Sequence, residues 1–373
     1  MSAHRSTNIL VIGAGVIGCA VACELARRGA AVGVLDDRLP AMGATQASAG
    51  MLAPFTEAKD RHDPFLDLAM RSLEMYDDFV ARTEAAAGEP VGYQRTGTLE
   101  VASEAGHMAP LEHLAHRLQS RGVKLQLLDE RATRREEPQL GRNVAGGMLI
   151  GSHGFVNAVG LTRALARAAA AHGACEIRDV RATRVSRRDG DLVVETTAGP
   201  LTADAVVLAG GSWSGQLEID GVAKPPVRPV RGQLLHLAWR GVPLRRVLWG
   251  DGCYLVPWQD GTLLVGATME EVGFEERTTA AGVRGLLDAA CALVPAASSA
   301  GFLSARAGLR PGSPDAMPIL GPSAALPGLF YATGHFRNGV LLAPVTAQLV
   351  ADAIDGRLDP ALADVGAGRF EGL

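Results

Sequence analysis

The stretch GAGVIG at residues 13–18 has the residue types and spacing that bind a pyrophosphate. Gly13 allows a tight turn, Gly15 lets the backbone approach the phosphates, and Gly18 lets a helix pack on the preceding strand. The N–H groups at the start of that helix, with its partial positive charge, attract the anion. Asp36 lies eighteen residues beyond Gly18, where a carboxylate accepts hydrogen bonds from ribose hydroxyls. The pattern predicts dinucleotide binding, and alone it does not distinguish NAD from FAD.

A second polar stretch, TGHFRNG at residues 333–339, leads into an apolar helical pattern. It brings His335, Arg337 and Asn338 to the start of a helix that should be buried. An ordinary helix cap is one interpretation, but a cap does not require histidine, phenylalanine and arginine together. The other interpretation is that the helix start faces a ligand, because its first N–H groups have no partners within the helix.

The elements that must position these stretches are of two kinds: parallel strands alternating with helices, and antiparallel strands. Buried parallel strands are predicted at 8–12, 30–35, 175–180 and 205–209, with helices at 19–28, 63–87, 157–171 and from 339 onwards. Antiparallel strands are predicted at 93–103, 230–238, 253–258 and 262–268, with a hairpin turn at 259–261 and helices at 111–119 and 279–293. Nucleotide-binding segments therefore lie at the start, middle and end of the chain, with antiparallel sheet between them.

This order predicts an α/β plus α+β fold in which a Rossmann-like dinucleotide-binding domain is interleaved with an antiparallel-sheet substrate domain. A chain of 373 residues is a natural size for two domains. The dinucleotide-binding domain is predicted to be discontinuous and to comprise residues 1–88, 147–224 and 306–373. The substrate domain is predicted to comprise residues 89–146 and 225–305.

Composition is typical of a folded globular protein and limits the partners. Apolar residues make up 47% of the chain and charged residues 20%. Lysine and arginine total 36 against 40 acidic residues, which leaves a net charge of −4. Because a nucleic-acid partner would favour a basic face, nucleic-acid binding is not predicted.

Cysteine and histidine spacing favours neither a disulfide framework nor a metal site. Five cysteines without a CxxC pair favour free thiols and a reducing cytoplasm. His113 and His116 share a predicted helix, but no cysteine or acidic cluster accompanies them, so no metal is expected. The apolar run at 9–26 raises the alternative of a signal peptide or membrane span. Three glycines and Glu24 interrupt it, and the dinucleotide-binding pattern explains it better, so no membrane span is predicted.

Seven motifs occur in order along the chain. They are GAGVIG (13–18), TQASAGML (45–52), VRGQ (230–233), YLVP (254–257), VGATM (265–269), AGLRPG (307–312) and GHFRNG (334–339). Together they closely resemble the glycine oxidases of thiamine biosynthesis, within the D-amino-acid oxidase group of FAD flavoenzymes. The resemblance implies an FAD-binding domain and an antiparallel substrate domain that covers the flavin.

The resemblance also implies that FAD is bound non-covalently. Relatives such as monomeric sarcosine oxidase tether flavin through a cysteine near the segment equivalent to 305–315, where this chain has none. The helix from Gly339 would direct its N-terminus at the flavin and stabilise the anionic reduced ring. Pro344 is expected to be tolerated there because early N–H groups of a helix lack partners. The residues implied to contact FAD are Gly13, Gly15, Val16, Ile17, Gly18, Asp36, Asp37, Ala44, Thr45, Ala49, Gly50, Met51, Val180, His335, Phe336, Arg337, Asn338, Gly339, Val340 and Leu341.

For the substrate, the resemblance implies that Arg310 and Tyr254 bind its carboxylate and that Arg337 is a second basic residue over the active site. A planar guanidinium binds a carboxylate through two parallel hydrogen bonds. Met51 and Met269 are expected to bound the pocket. The chain departs from the family in having Arg231 in the VRGQ turn and Trp258 after the YLVP strand, and neither is expected to touch the chemistry.

The implied activity is oxidation of glycine and small amines or amino acids, such as sarcosine, D-proline and D-alanine. Hydride would pass from Cα to the flavin, O₂ would be reduced to H₂O₂, and the product would serve thiamine thiazole synthesis. One alternative is a D-amino-acid dehydrogenase that passes electrons to a quinone. Others are a non-catalytic FAD-binding protein and an NAD-dependent dehydrogenase. A homo-oligomer such as a tetramer is expected.

Overall fold

The computed structural model of the protein describes residues 8–57 and 64–373. The first seven residues of the predicted N-terminal segment lie outside the described residues, as does residue 63, where a helix is predicted to start. Within the described ranges, eight α-helices and four sheets form the fold.

The strands are short except for two that run along one edge of the molecule's largest sheet. In chain order they are β1 (Asn8–Ile12), β2 (Ala31–Asp36), β3 (Met51–Leu52), β4 (Tyr93–Gln94), β5 (Thr98–Ala102), β6 (Gln126–Asp129), β7 (Gly146–Ile150), β8 (Gly154–Val156), β9 (Cys175–Arg178), β10 (Ala182–Arg188), β11 (Asp191–Thr196), β12 (Leu201–Ala203), β13 (Ala205–Leu208), β14 (Glu218–Ile219), β15 (Arg228–Ala238), β16 (Val247–Gly250), β17 (Cys253–Pro257), β18 (Thr262–Gly266), β19 (Gly301–Gly312), β20 (Ile319–Pro322) and β21 (Leu329–Thr333).

Four of the helices cover the nucleotide-binding part. The α-helices are α1 (Val16–Arg27), α2 (Pro64–Ala87), α3 (Ala105–Ser120), α4 (Glu130–Glu136), α5 (Ala158–Ala171), α6 (Ala280–Leu293), α7 (Gly339–Ile354) and α8 (Leu362–Val365). The four that cover the nucleotide-binding part are α1, α2, α5 and α7. Short 3₁₀ helices occur at Ala44–Ala47, Pro54–Glu57, Gly211–Gln216, Pro295–Ser299 and Ala367–Arg369.

Six strands form a mostly parallel sheet in the order β20-β21-β13-β1-β2-β9. Only the β20–β21 pair is antiparallel. Both faces are buried, which explains the continuous apolar runs in its strands. On one face Val11 packs in a core with α1, α2, α5 and α7. On the other, Ile12 packs against the four-stranded sheet β12-β11-β10-β14.

The carboxyl ends of the central parallel strands meet at one edge of this sheet. Ile12 at the end of β1 pairs in register with Leu35 of β2 and Leu208 of β13. The loops that follow these three strands therefore converge, which is where ligands bind in open α/β sheets.

Eight strands form the second large sheet, in the order β19-β15-β18-β17-β16-β5-β7-β6. All its pairs are antiparallel except β16 with β5. A row of paired residues crosses it, running through Gly266, Tyr254, Trp249, Glu100 and Met148. Because directly paired residues point to the same face, these side chains share one side of the sheet.

The predicted fold class is confirmed: a Rossmann-like domain is combined with a largely antiparallel sheet. Several elements differ in detail. Residues 93–103, predicted as one strand, form β4 and β5 because Gly97 has φ of +79° and breaks the extended backbone. The domain boundaries stay a prediction, and sheet membership would move two of them, since β7 (Gly146–Ile150) and all of β19 (Gly301–Gly312) belong to the eight-stranded sheet.

Two negative findings concern the described parts of the chain. No helix within residues 8–57 and 64–373 is long and apolar enough to cross a membrane. The same residues contain no group of three or more His, Cys, Asp or Glu side chains arranged to bind a metal ion. All five cysteines fall in these ranges and are free thiols.

Candidate active site

A cavity of about 1070 Å³ lies between the carboxyl edge of the six-stranded sheet and one face of the eight-stranded sheet. It extends from Asp36 and Val180, past the glycine turn at residue 13, to the start of α7 and to Arg310 and Tyr254. This volume is at the upper limit of ordinary ligand pockets, which are about 300–1,000 Å³. The space therefore suits a long ligand with a substrate at one end.

The glycine turn has the geometry that a pyrophosphate requires. Gly13 has φ of +109°, and a Cβ at this position would lie 2.6 Å from the carbonyl oxygen of Ala209. A Cβ on Gly18 would overlap the carbonyl oxygen of Gly13, so Gly18 is needed for α1 to pack against the turn. The N–H of Val16 donates to Oγ1 of Thr45 at 3.2 Å. Glycines that leave room at a helix start fit the dinucleotide predicted from the sequence.

Asp36 lies at the end of β2 and supports the glycine turn from the other side. Its Oδ2 accepts a hydrogen bond from the N–H of Ala14 at 2.6 Å, and its Oδ1 accepts one from the N–H of Arg38 at 2.9 Å. Burial raises the pKa of Asp36, although these two N–H groups stabilise its charged form. Asp37, the next residue, forms an ion pair with Arg181 at 2.7 Å. Each carboxylate oxygen of Asp36 has further lone pairs, so the group can also accept bonds from ribose hydroxyls.

All but two of the predicted FAD contacts line the cavity. Those that line it are Gly13, Gly15, Val16, Ile17, Asp36, Asp37, Ala44, Thr45, Ala49, Gly50, Met51, Val180, His335, Phe336, Arg337, Asn338, Gly339 and Val340. Gly18 lies behind the wall in its packing position, and Leu341 is buried in the core with 2% of its surface exposed. The structure thus brings together residues from the start, the middle and the end of the chain.

Arg310 lies on β19 and reaches the cavity across the neighbouring strand. Its Nη1 donates to the carbonyl oxygen of Thr268 at 2.9 Å, with a weaker contact to that of Arg231 at 3.4 Å. A Cβ added to Gly232 would overlap the Arg310 guanidinium. The glycine of the VRGQ motif therefore leaves the space that this guanidinium occupies.

Tyr254 reaches the same part of the cavity from β17. Its phenol lies over Gly266, its partner on β18, where an added Cβ would overlap the hydroxyl. The Tyr254 ring contacts that of Trp249, with 5.6 Å between centroids. Tyr254 and Arg310 thus flank the short segment 266–268 from either side, an arrangement that suits a small carboxylate.

A polar network beneath Arg310 holds the segment to which it is bonded. Arg231, only 4% exposed, forms an ion pair with Glu270. The other carboxylate oxygen of Glu270 accepts bonds from Oγ1 of Thr268 and from Nε2 of Gln233. Burial opposes ionisation of Glu270, but these bonds prevail and lower its pKa. Arg231, which is not expected from the sequence to touch the chemistry, acts indirectly through Glu270 on Thr268, whose carbonyl accepts the hydrogen bond from Arg310.

The polar stretch before α7 lies beside the end of β19, where the N–H of Phe336 donates to the carbonyl oxygen of Pro311 at 2.9 Å. His335 is 3% exposed, and its Nε2 lies 3.0 Å from Oγ1 of Thr346. Burial lowers the pKa of His335 to about 3, so the imidazole is neutral. The guanidinium carbon of Arg337 lies 6.0 Å from the centre of the Trp249 ring. The two residues therefore differ in role: His335 faces the core, and Arg337 faces the substrate end.

The sequence analysis did not identify two aromatic contributors to the cavity. Trp249 lies between Tyr254 and Arg337, on a strand that was not predicted. Trp213 follows β13, and the guanidinium of Arg38 stacks on its ring at 4.5 Å. Arg38 also forms an ion pair with Glu276 at 3.0 Å. The glycine pair at 210–211 just before Trp213 was a signal for this loop, whereas no local pattern marks Trp249.

The chain is similar to glycine oxidases in both sequence and structure. The chain is 34% identical to glycine oxidase of Geobacillus kaustophilus over 360 residues, which cover 94% of this chain and 93% of that protein. A crystal structure of glycine oxidase from Geobacillus kaustophilus superposes with a TM-score of 0.93 at 32% identity and covers 98% of this chain and 100% of that chain.

A bifunctional protein ThiO/ThiG of Trichormus variabilis is 36% identical over 380 residues, which cover 98% of this chain and 55% of that protein. The chain thus spans about half the length of this bifunctional relative. Residues 8–353 match the family model described as FAD dependent oxidoreductase. With the glycine turn, Asp36 and the long cavity in place, the chain belongs to this family of FAD-dependent enzymes.

Proposed function

We propose that the protein oxidises glycine and other small amines or amino acids with FAD as cofactor and O₂ as electron acceptor. The observation that carries the proposal is that Arg310 and Tyr254 flank one segment at the end of the cavity that also contains the glycine turn. Similarity to glycine oxidase over 94% of the chain supports the same substrate class.

The two side chains would hold the substrate through its carboxylate. The Arg310 guanidinium supplies charge-assisted hydrogen bonds and the Tyr254 phenol a further donor. Bound FAD supplies the ring that accepts a hydride from the carbon between carboxylate and nitrogen. The contribution of the chain is to fix that carbon in position and to exclude other orientations.

The first turn of α7 would lie against the ring and contribute electrostatically. Its first two residues, Gly339 and Val340, line the cavity, and a helix start carries a partial positive charge. This charge favours the negative charge that the ring gains on reduction. The amino-acid imine formed would be hydrolysed in water, and reoxidation by O₂ would yield H₂O₂.

No side chain is assigned as general base. His335 lines the cavity, but burial lowers its pKa to about 3, which makes the imidazole a weak base, and its Nε2 lies 3.0 Å from Oγ1 of Thr346. We propose instead that the substrate binds as the free amine or loses its proton to water on binding. The residues of the site then act by binding and orientation alone.

Trp249 favours a small substrate. Its ring stands beside Tyr254 and under Arg337, and so closes the space next to the carboxylate site. Glycine, sarcosine, D-proline and D-alanine are the compounds we propose. Similarity to the ThiO part of a bifunctional relative supports a role in thiamine thiazole synthesis. Free thiols support a cytoplasmic location, and a homo-oligomer is proposed.

The direct test of the activity is oxygen consumption and peroxide formation by the purified holoenzyme with glycine in air-saturated buffer. We expect one peroxide for each glycine oxidised. If glycine reduces the flavin but oxygen is not consumed, and a quinone restores the colour, the protein is the alternative dehydrogenase. If no amine or amino acid reduces the flavin, it is a non-catalytic FAD-binding protein.

A further inference from the structure

The start of α7 contains a break in its own hydrogen bonding. Pro344 is the sixth residue of the helix and therefore lies beyond the first turn, so the tolerance predicted for a helix start does not apply to it. Proline has no N–H, and the group that it lacks would have donated to the carbonyl oxygen of Val340, four residues earlier. A buried carbonyl without a donor is destabilising, because it has lost its hydrogen bonds to water and gained none in the protein.

Two hydroxyl groups of α2 supply donors at this break. Tyr76 Oη donates to the carbonyl oxygen of Val340 at 2.5 Å, in place of the missing N–H. Ser72 Oγ donates to the carbonyl oxygen of Leu341 at 2.7 Å and accepts the N–H of Val345 at 3.4 Å. The serine hydroxyl is thus inserted into a helical hydrogen bond that the proline has opened.

The two hydroxyls are placed for this purpose by the helix that carries them. Ser72 and Tyr76 are four residues apart, so they lie on one face of α2, and both are fully buried. Burial raises the pKa of Tyr76 well above its usual value, so the phenol keeps its proton and remains a donor. The Tyr76 ring also stacks on Tyr93, with 5.9 Å between centroids.

The bonds matter because the turn they hold is the one that faces the cavity. Val340 lines the cavity, and its carbonyl points away from it to Tyr76. The Tyr76 hydroxyl donates to this carbonyl in place of the missing N–H, so the aligned series of peptide dipoles is not interrupted at the proline. Without that donor, the first turn would be separated electrostatically from the rest of the helix.

We propose that Tyr76, assisted by Ser72, is a positioning residue for the flavin: it holds the first turn of α7 so that its positive end faces the isoalloxazine ring. This inference rests on the proposed placement of FAD against α7 and not on the identity of the substrate. Tyr76 does not line the cavity and acts through the backbone of Val340.

The test uses sulfite with the FAD holoenzyme. Sulfite adds through its sulfur lone pair to the flavin, which takes up the electron pair as negative charge on the ring, and the addition bleaches the absorbance. Tyr76→Phe should weaken sulfite binding by about three- to tenfold, because a helix start favours a nearby negative charge only while its N–H groups are held toward it. Thr83→Val is the matched control. This substitution also removes a buried hydroxyl of α2, but that hydroxyl donates within the same helix, to the carbonyl oxygen of Phe79 at 2.7 Å.

A second variant separates positioning from general destabilisation. In Tyr76→Phe/Pro344→Ala the new alanine supplies the N–H that the wild-type helix lacks, so sulfite affinity should return to within about twofold of wild type. The proposal is overturned if Tyr76→Phe leaves sulfite affinity unchanged, if Thr83→Val weakens it equally, or if the double variant is no better than the single one. Sulfite binding requires no glycine turnover, so these outcomes do not depend on the proposed activity.

Discussion

The guanidinium of Arg310 donates a hydrogen bond to the backbone carbonyl of Thr268 at 2.9 Å, although the two residues lie on opposite sides of β15 in the sheet. The Thr268 hydroxyl in turn donates to Glu270, whose carboxylate also pairs with Arg231. A long, flexible side chain is thereby held in one orientation before any substrate arrives. Such preorganisation reduces the entropy lost on binding.

Replacement of the proposed carboxylate ligand should affect substrate without affecting cofactor. For Arg310→Ala we expect kcat/KM for glycine to fall by about 10²-fold or more, because about 3 kcal/mol depends on charge-assisted contacts. Bound FAD should remain at the wild-type ratio. Arg306→Ala is the control, since Arg306 is exposed on the same strand and makes only a 3.4 Å contact with the carbonyl of Gln46. Equal kcat/KM for glycine in Arg310→Ala and in wild type would show that Arg310 does not bind the substrate carboxylate.

A single methyl group at Gly232 should have a similar but smaller effect. The Cβ of Gly232→Ala would overlap the Arg310 guanidinium and displace it, while the backbone conformation of residue 232 accepts alanine. We expect KM for glycine to rise about tenfold, because small displacements of binding groups are costly. Gly285→Ala in α6, where the new Cβ meets open space, should leave KM unchanged. Wild-type KM in both variants would show that this guanidinium does not set substrate affinity.

Trp249 should determine the size of accepted substrates. Trp249→Ala removes the ring between Tyr254 and Arg337, so we expect the ratio of kcat/KM for D-phenylalanine to that for glycine to rise about tenfold or more. Trp249→Phe keeps an aromatic wall and should shift the ratio far less. Steady-state assays with both substrates measure this. An unchanged ratio in the alanine variant would mean that another residue limits the pocket.

Glu100 should make stability depend on pH. It lies next to Trp249 in the register of the sheet, its Oε2 is buried and has no hydrogen-bond partner among the described residues, and burial raises its pKa from 4.5 to about 7. Between pH 4.5 and about 7 the folded state holds the Glu100 proton more tightly than the unfolded state does. The stability that this protonated carboxyl contributes is therefore fully present below pH 4.5 and is lost as pH rises through about 7. Glu100→Gln should flatten this part of the Tm profile and raise Tm at pH 8. If Tm of Glu100→Gln varied with pH as it does in wild type, Glu100 would not be the group responsible for the loss of stability.

Local patterns in the sequence were sufficient to predict the glycine turn with its flanking elements and the ends of several helices. The helix predicted at 157–171 is α5 (Ala158–Ala171), and Oδ1 of its N-cap residue Asn157 accepts the N–H of Gly160. Oγ1 of Thr279 caps α6 by accepting the N–H of Gly282 at 3.1 Å. Caps and glycine turns are predictable because their hydrogen bonds lie within a few residues.

Contacts between distant segments were not predictable in the same way. Trp249 enters the cavity only because β16 pairs with both β17 and β5, a parallel pairing between residues about 150 positions apart. The Tyr76 bond to Val340 spans 264 residues and depends on how α2 packs on α7. No local pattern carries this information, since packing between helices fixes which side chains meet.

The central claim is that this chain holds a flavin beside a bound amino acid whose Cα hydrogen the flavin accepts. The most direct measurement is the flavin absorbance of the purified holoenzyme mixed with glycine in the absence of oxygen. We expect the yellow colour to bleach completely, and to return when air is admitted. Flavin that stays oxidised with glycine, sarcosine, D-proline and D-alanine alike would contradict the claim.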